Sequence, residues 1–362
     1  MNFRLSDEQR EMSETVRRFA RARGDSGARR VAFESETGHD AAFWRELMAL
    51  GVGGVVLPER HGGLGLKLID LALVAEALGY AAAPGPFLGH VLAGLAIDLC
   101  GDAAQKQRWL PALAAGEAIA AIAIAEAGDR CRPEASQIGV RNGALTGEKR
   151  DALFPELADV IVVATADGFA LVEKGAAGMT FTPRDGADRT RRLSHIAFAR
   201  TPAELMPTRA EAAIGDAALV LLAADAFGGA SRCLDMAVEY AKTREQFGRP
   251  IGAFQGVKHQ LANMAVDVEP ARGLFWYAAY VFDAAPEERA RMAAAAKAHI
   301  ADVYMQAARL MIEIHGGVGY TWDHDAQIYF KRALFDFAYL GTPSRHRDRQ
   351  AALAGWSARA HA

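Results

Sequence analysis

Three short stretches hold the residues whose types and spacing could do chemistry. In "EYAKTREQFGRPIGAFQGVKH" (239–259), Tyr240, Arg244 and Phe247 stand at i, i+4 and i+7, which predicts one helix face ended by Gly248 and Pro250. An arginine beside an aromatic at a helix end could clamp a phosphate and shelter a planar ring at once. The plainer reading of the same pair is a solvated arginine beside a core phenylalanine. In "EIHGGVGYTWDHD" (313–325) a long helix runs into Gly316 and Gly317, whose missing side chains let a backbone approach an anion closely. One glycine would serve to stop a helix. Three glycines in four positions, followed by Tyr320 and Trp322, point to a ligand contact. The third stretch, "FDFAYLGTPSR" (335–345), turns a corner at Tyr339–Pro343 that looks built to present a side chain. The side chain presented is Leu340, an aliphatic with no chemistry of its own.

The elements that must position these residues follow from periodicity. Residues 1–115 read as helices: "SDEQREMSETVRRFARAR" begins at a capping residue, Ser6, and "AAFWRELMALGV" and "LKLIDLALVAEALGYA" repeat apolar positions at helical spacing. Between the last two lies "LPERHGGLGL", whose Gly62, Gly63 and Gly65 could cradle a phosphate but read first as turn chemistry. Over 116–204 the texture changes to short apolar or β-branched runs, "AIAAIAIAEA", "ADVIVVAT", "GFALVEK", "GMTFTPR" and "LSHIAFA", which predict strands. From 205 to 362 the chain is helical again, with a long glycine-containing helix, a second long helix and a third opened by Pro286 in its first turn. The expected architecture is therefore mostly α with a middle β domain: an N-terminal helical domain (1–115), a small sheet or barrel domain (116–204) and a C-terminal four-helix-type bundle (205–362).

Composition narrows the function classes. A formal net charge of −3, with no long basic run, gives no electrostatic case for nucleic acid. Cys100, Cys131 and Cys233 have neither metal-type nor redox-type spacing. The polar start "MNFRLSDEQREM" is not a secretory signal, and apolar runs such as "AALVLLAADAFGGA" are interrupted by Asp and Gly, so a soluble cytoplasmic protein without a membrane span is expected.

Taken together, the arginine stretch and the glycine loop resemble the acyl-CoA dehydrogenase family. The resemblance runs the length of the chain, with the helices around "LPERHGGLGL", the middle sheet, the arginine helix and the GGVGY loop in the same order. It implies the fold of that family and an FAD enzyme that removes two hydrogens from the α and β carbons of an acyl-CoA thioester. A carboxylate base takes the α proton and flavin N5 takes the β hydride. It also implies an electron-transfer flavoprotein as electron acceptor.

Against that pattern the opening corner acquires a meaning. The commonest members of the family place their catalytic glutamate directly before a Gly-Thr pair; here Leu340 stands before Gly341 and Thr342. A second branch carries its base near the start of the arginine helix, where this chain has Ala218, with Asp216 and Asp225 nearby; Asp225 shares the face and is the remaining candidate base. The family's Thr-Glu-Pro loop against the flavin ring and substrate reads "IAEAGDRC", with Ala125 and Ala127 in place of Thr and Pro. The strand expected to bring a tryptophan to the ring reads "GEKRDALF". What matches is the half of the family's site that holds the ADP end of a neighbouring subunit's FAD: Arg244, Gln246, Phe247, Gly316 and Gly317, with Glu313 replacing the family's glutamine. The resemblance thus implies the non-catalytic chain of a heteromeric, α2β2 acyl-CoA dehydrogenase of the kind that degrades steroid-derived thioesters. Two other readings are a flavin-dependent monooxygenase-type member of the same superfold, which needs no base, and a flavin-free structural subunit.

Overall fold

The computed structural model describes residues 4–128 and 131–356. Six helices come first: α1 (Asp7–Arg23), α2 (Ser26–Glu34), α3 (Ala41–Met48), α4 (Leu68–Tyr80), α5 (Phe87–Cys100) and α6 (Ala103–Ala115). Strands follow: β1 (Ala120–Ala123), β2 (Val140–Arg141), β3 (Ala144–Leu153), β4 (Val160–Thr165), β5 (Gly168–Glu173), β6 (Met179–Arg184), β7 (Leu193–Pro202) and β8 (Glu204–Leu205). Then come α7 (Glu211–Thr243), a hairpin of β9 (Glu245–Gln246) and β10 (Arg249–Pro250), α8 (Gln255–Ala284), α9 (Pro286–His315), α10 (Ala326–Ala338) and α11 (Pro343–Leu353). The local signals act as expected. Ser6 Oγ accepts from the Gln9 amide while the Gln9 side chain bonds back to Ser6, a reciprocal cap on α1. Pro286 occupies the first turn of α9, where its missing N–H costs nothing.

By contacts the chain falls into two compact units. One consists of the chain up to Arg29, Ala72–Ala83 and the chain from Val220 on; the other of Arg30–Leu71 and Pro84–Leu219. The second unit is built on two four-stranded sheets, ordered β1-β4-β5-β8 and β2-β3-β7-β6. Their facing side chains make one core: Ala121, Ile161, Val163 and Val172 from the first sheet meet Leu145, Ala152, Ile196 and Phe198 from the second. β1 runs parallel to β4 and every other pairing is antiparallel. Periodicity does not flag β3, because "ALTGEKRDAL" has no apolar run. It is nonetheless a central strand, irregular between Leu145 and Gly147 and again between Lys149 and Ala152. The "LPERHGGLGL" turn spends its amides on itself: Gly62, Gly63, Leu64 and Gly65 donate to Glu59, Pro58, Gly54 and Leu57 carbonyls. With its donors satisfied internally it is a turn rather than a phosphate cradle.

In the first unit, α9 packs against α8, α10 and α11. The glycines inside α7 permit close approach: a Cβ on Gly228 would lie 2.1 Å from the Glu76 carbonyl oxygen, and one on Gly229 2.2 Å from the Tyr304 ring. By length and composition α7 could cross a membrane, but its most apolar stretch is 83% buried, which makes it a core helix.

Candidate functional site

The arginine stretch leaves its helix earlier than its spacing predicts. α7 stops at Thr243, whose Oγ1 donates to the Glu239 and Tyr240 carbonyls and so caps the last turn. Arg244 and Phe247 therefore do not share a helix face with Tyr240. The chain enters the β9–β10 hairpin, Gln246 opposite Arg249, closed by the Ile251 amide on the Arg244 carbonyl (2.8 Å). The two turn residues, Phe247 and Gly248, both have positive φ (54° and 75°), the mirror-image turn whose twist suits a two-residue hairpin. Phenylalanine is a poor occupant of that position, and here it is 91% exposed. Its ring meets the edge of Phe254, which the Arg249 guanidinium covers at 4.3 Å. Arg244 is exposed and has no ion-pair partner among the described residues.

The glycine loop lies beside this hairpin. His315, the last residue of α9, stacks on Tyr240 with ring centroids 4.3 Å apart, and so ties Gly316 to the helix end that launches Arg244. His315 donates from Nδ1 to the Met311 carbonyl (2.7 Å), and burial pulls its pKa below the ordinary value. The glycines divide by role. A Cβ on Gly319 would sit 2.9 Å from the Ile312 carbonyl oxygen, so that glycine serves packing. At Gly316 (φ 60°) and Gly317 a Cβ would meet nothing within 4 Å: their faces are open. Glu313, three residues before Gly316, accepts from Gln260 Nε2 at 3.0 Å, so its charge has a protein donor.

At the corner, Leu340 lies in the left-handed region (φ 56°) and is only 6% exposed. The frame around it is held by two buried side chains. Lys297, buried in α9, donates to the carbonyls of Asp336 and Gly341, and His346 Nε2 donates to the Leu340 carbonyl at 3.1 Å. Burial, with Lys297 and Arg349 nearby, holds His346 down at about 4. Asp225, the remaining candidate base, is buried in a two-point ion pair with Arg332 (2.7 and 2.8 Å), which also donates to the Ala83 carbonyl. A carboxylate gripped at both oxygens is not placed to take a proton from carbon. Asp216 is buried in the second turn of α7.

A two-part helical chain with this glycine loop and corner has known counterparts. The acyl-CoA dehydrogenase N-terminal domain pattern fits residues 6–117, and the C-terminal domain pattern fits 217–353. Acyl-CoA dehydrogenase IpdE2 of Mycolicibacterium smegmatis is 34% identical over 95% of this chain and 98% of its own length. This chain belongs to the acyl-CoA dehydrogenase family. Among solved structures, a variant of the steroid ACAD Tcur3481-Tcur3483 is 29% identical over 96% of this chain and 98% of that one, with a TM-score of 0.90. The ChsE4-ChsE5 complex of Mycobacterium tuberculosis is 26% identical over 99% and 100%, also with a TM-score of 0.90.

FAD is the cofactor of the family, and the hairpin and glycine loop fit part of it. An arginine without an anion, two glycines with open faces and an aromatic held out of the surface are what a pyrophosphate and its flanking rings require. The ring-facing segment in the other unit differs. Ala125 and Ala127 flank Glu126, which accepts from buried Lys149 (2.8 Å) and from the Gln137 and Ile138 amides. Burial brings Lys149 down to about 8. The strand that reads "GEKRDALF", without a tryptophan, carries Asp151 at φ 52°, its amide donating to His195 Nδ1. A cavity of about 560 Å³ on this segment is lined by Glu126, Arg141, Glu148, Arg150 and Asp167 among others. Charged walls suit a planar apolar ring poorly. Of the residues that build these regions, Lys149, Lys297, Arg332 and His315 carried no sequence signal, because each works through a partner well removed along the chain.

Proposed function

We propose that this chain is the non-catalytic subunit of a two-chain, FAD-dependent acyl-CoA dehydrogenase, assembled as α2β2 with a second member of the family. The observation that carries the reading is Leu340. The corner that positions a base in the family is fully framed by Lys297 and His346, yet it presents a buried aliphatic group. Asp225 offers no substitute, since Arg332 holds both its oxygens.

Bound FAD supplies the hydride acceptor for α,β-desaturation of the acyl-CoA, while the partner subunit supplies the base that removes the α proton. This chain's part is to complete the partner's site. Arg244 donates paired N–H groups to the pyrophosphate, the backbone at Gly316 and Gly317 closes on it, and Phe247 covers a ring face. Because Glu313 is held by Gln260, its carboxylate is turned to a protein donor rather than to the phosphates. A steroid-derived acyl group is supported by the likeness to a steroid ACAD, and electrons leave to an electron-transfer flavoprotein.

Purification of the chain alone and with candidate family partners tests the reading. The lone chain should carry little FAD and desaturate no acyl-CoA, and the right pair should do both. Leu340→Glu in the lone chain should restore nothing, because Ala125, Ala127 and Asp151 leave the ring side unbuilt. A lone chain with full flavin and brisk turnover would overturn the proposal.

A further inference from the structure

The glycine loop is tied at its far end to a part of the chain almost three hundred residues away. Asp325, the last residue of the loop, is only 13% exposed as a side chain and faces Arg29, at 11%. Arg29 Nη2 donates to Asp325 Oδ2 at 2.5 Å and Ser26 Oγ donates to Oδ1 at 2.7 Å. Arg29 is itself fixed, since Nη1 donates to the carbonyls of Gly24 and Ala81 (3.1 Å to the latter). The loop returns to its own start one residue earlier. His324 packs on His315 with centroids 4.4 Å apart, and its Nδ1 accepts the Ala326 amide at 3.1 Å. Inside the loop the Thr321 amide and hydroxyl both bond the Val318 carbonyl, and Lys331 covers the Trp322 ring at 4.8 Å. A continuous path thus runs from Arg29 through Asp325 and His324 to His315, the neighbour of Gly316. None of these groups touches the open faces of Gly316 and Gly317.

We propose that Asp325, gripped by Arg29 and Ser26, is the positioning residue that sets the Gly316–Gly317 backbone in its anion-receiving shape before flavin arrives. The inference rests on the reading of the glycine loop as part of an FAD site. The physical warrant is preorganisation. Gly316 and Gly317 have no side chains to hold them and no packing against their open faces, so the loop would have to be ordered by the ligand, at the expense of affinity. A part-buried charge pair with a second hydrogen bond removes that loss in advance.

The test uses the assembled two-chain enzyme, with FAD as the titrant and hydrogen exchange of the Gly316–Asp325 amides in the flavin-free complex as a second readout. Asp325→Asn should raise the FAD Kd by tenfold or more and speed exchange within the loop. Ser26→Ala, a milder change that keeps the ion pair, should raise the Kd a few-fold, and Arg29→Lys should retain more affinity than Arg29→Met. Glu76→Gln is the control for lost stability. It breaks a buried contact with Arg17 and Arg272 in the same unit and should lower Tm while leaving the FAD Kd within twofold. Unchanged FAD binding in both Asp325→Asn and Ser26→Ala, or an equal loss in Glu76→Gln, overturns the inference. If Arg244→Ala also leaves FAD binding unchanged, the functional reading has failed; if Arg244→Ala strips flavin while the Asp325 variants do not, the positioning role alone has failed.

Discussion

Phe247 and Leu340 stand at nearly the same backbone angle and meet opposite fates. Phe247 (φ 54°) is thrust into solvent at 91% exposure; Leu340 (φ 56°) is folded inward at 6%. For residues of this kind the left-handed region costs about 1–2 kcal/mol, so each conformation is enforced by its surroundings. At the hairpin, two cross-strand residue pairs and the Gly248 turn enforce it, and the product is an aromatic surface displayed outward. At the corner, Lys297 and His346 enforce it by holding three carbonyls, and the product is a sealed position. On the proposed reading, one region maintains strain in order to meet something outside the chain, and the other keeps the frame of a catalytic corner and fills it with an inert group. That contrast is why the chain reads as a subunit that lends part of a site and performs no proton transfer of its own.

The largest expected effect lies beneath the corner. Asp225→Ala takes from the buried Arg332 guanidinium a carboxylate bound at both oxygens, and should lower stability by about 3–5 kcal/mol in urea denaturation. If the variant instead folds normally but the two-chain enzyme loses turnover, Asp225 is a base after all and the contrast breaks.

The next effect is one of pH. His90 and His346 are both held at about 4 rather than the ordinary 6.5, chiefly by burial. The folded chain refuses protons that the unfolded chain takes up below pH 6.5. Stability is therefore whole above that pH and falls as pH drops toward 4, by about 3 kcal/mol for each ring. Melting curves between pH 7 and 4 should show it. His346→Gln, which keeps a donor for the Leu340 carbonyl, should flatten part of the slope, and an unchanged slope would separate the corner from its acid sensitivity.

The smallest effect sharpens the hairpin side. Asparagine tolerates the left-handed region, so Phe247→Asn should stabilise the isolated chain by about 0.5–1 kcal/mol while weakening FAD retention in the complex. Stabilisation without loss of flavin would mean the exposed ring has no partner.

Much of the frame was legible in the sequence. The Ser6 cap, Pro286 at the head of α9 and the apolar strands β1, β4 and β5 follow local rules that do not depend on distant contacts. β3 was legible only through the family resemblance and not in its periodicity, since its place between β2 and β7 is set by pairing and not by its own charged residues. The hairpin was hidden because Phe-Gly is not a customary pair for a mirror-image turn, so the helical periodicity of Tyr240, Arg244 and Phe247 dominated the reading. The site's supports were hidden for another reason: Arg332 pairs with Asp225 across 107 positions and Arg29 with Asp325 across 296. Such contacts exist only once the fold exists.

The most direct measurement of the central claim is the FAD content and FAD Kd of the assembled two-chain enzyme carrying Arg244→Ala. Losing a guanidinium that grips the pyrophosphate in a partly desolvated interface should cost about 2–5 kcal/mol, roughly a thirty- to several-thousand-fold rise in Kd. This chain should stay folded and paired with its partner. Full flavin retention at unchanged affinity would contradict the account.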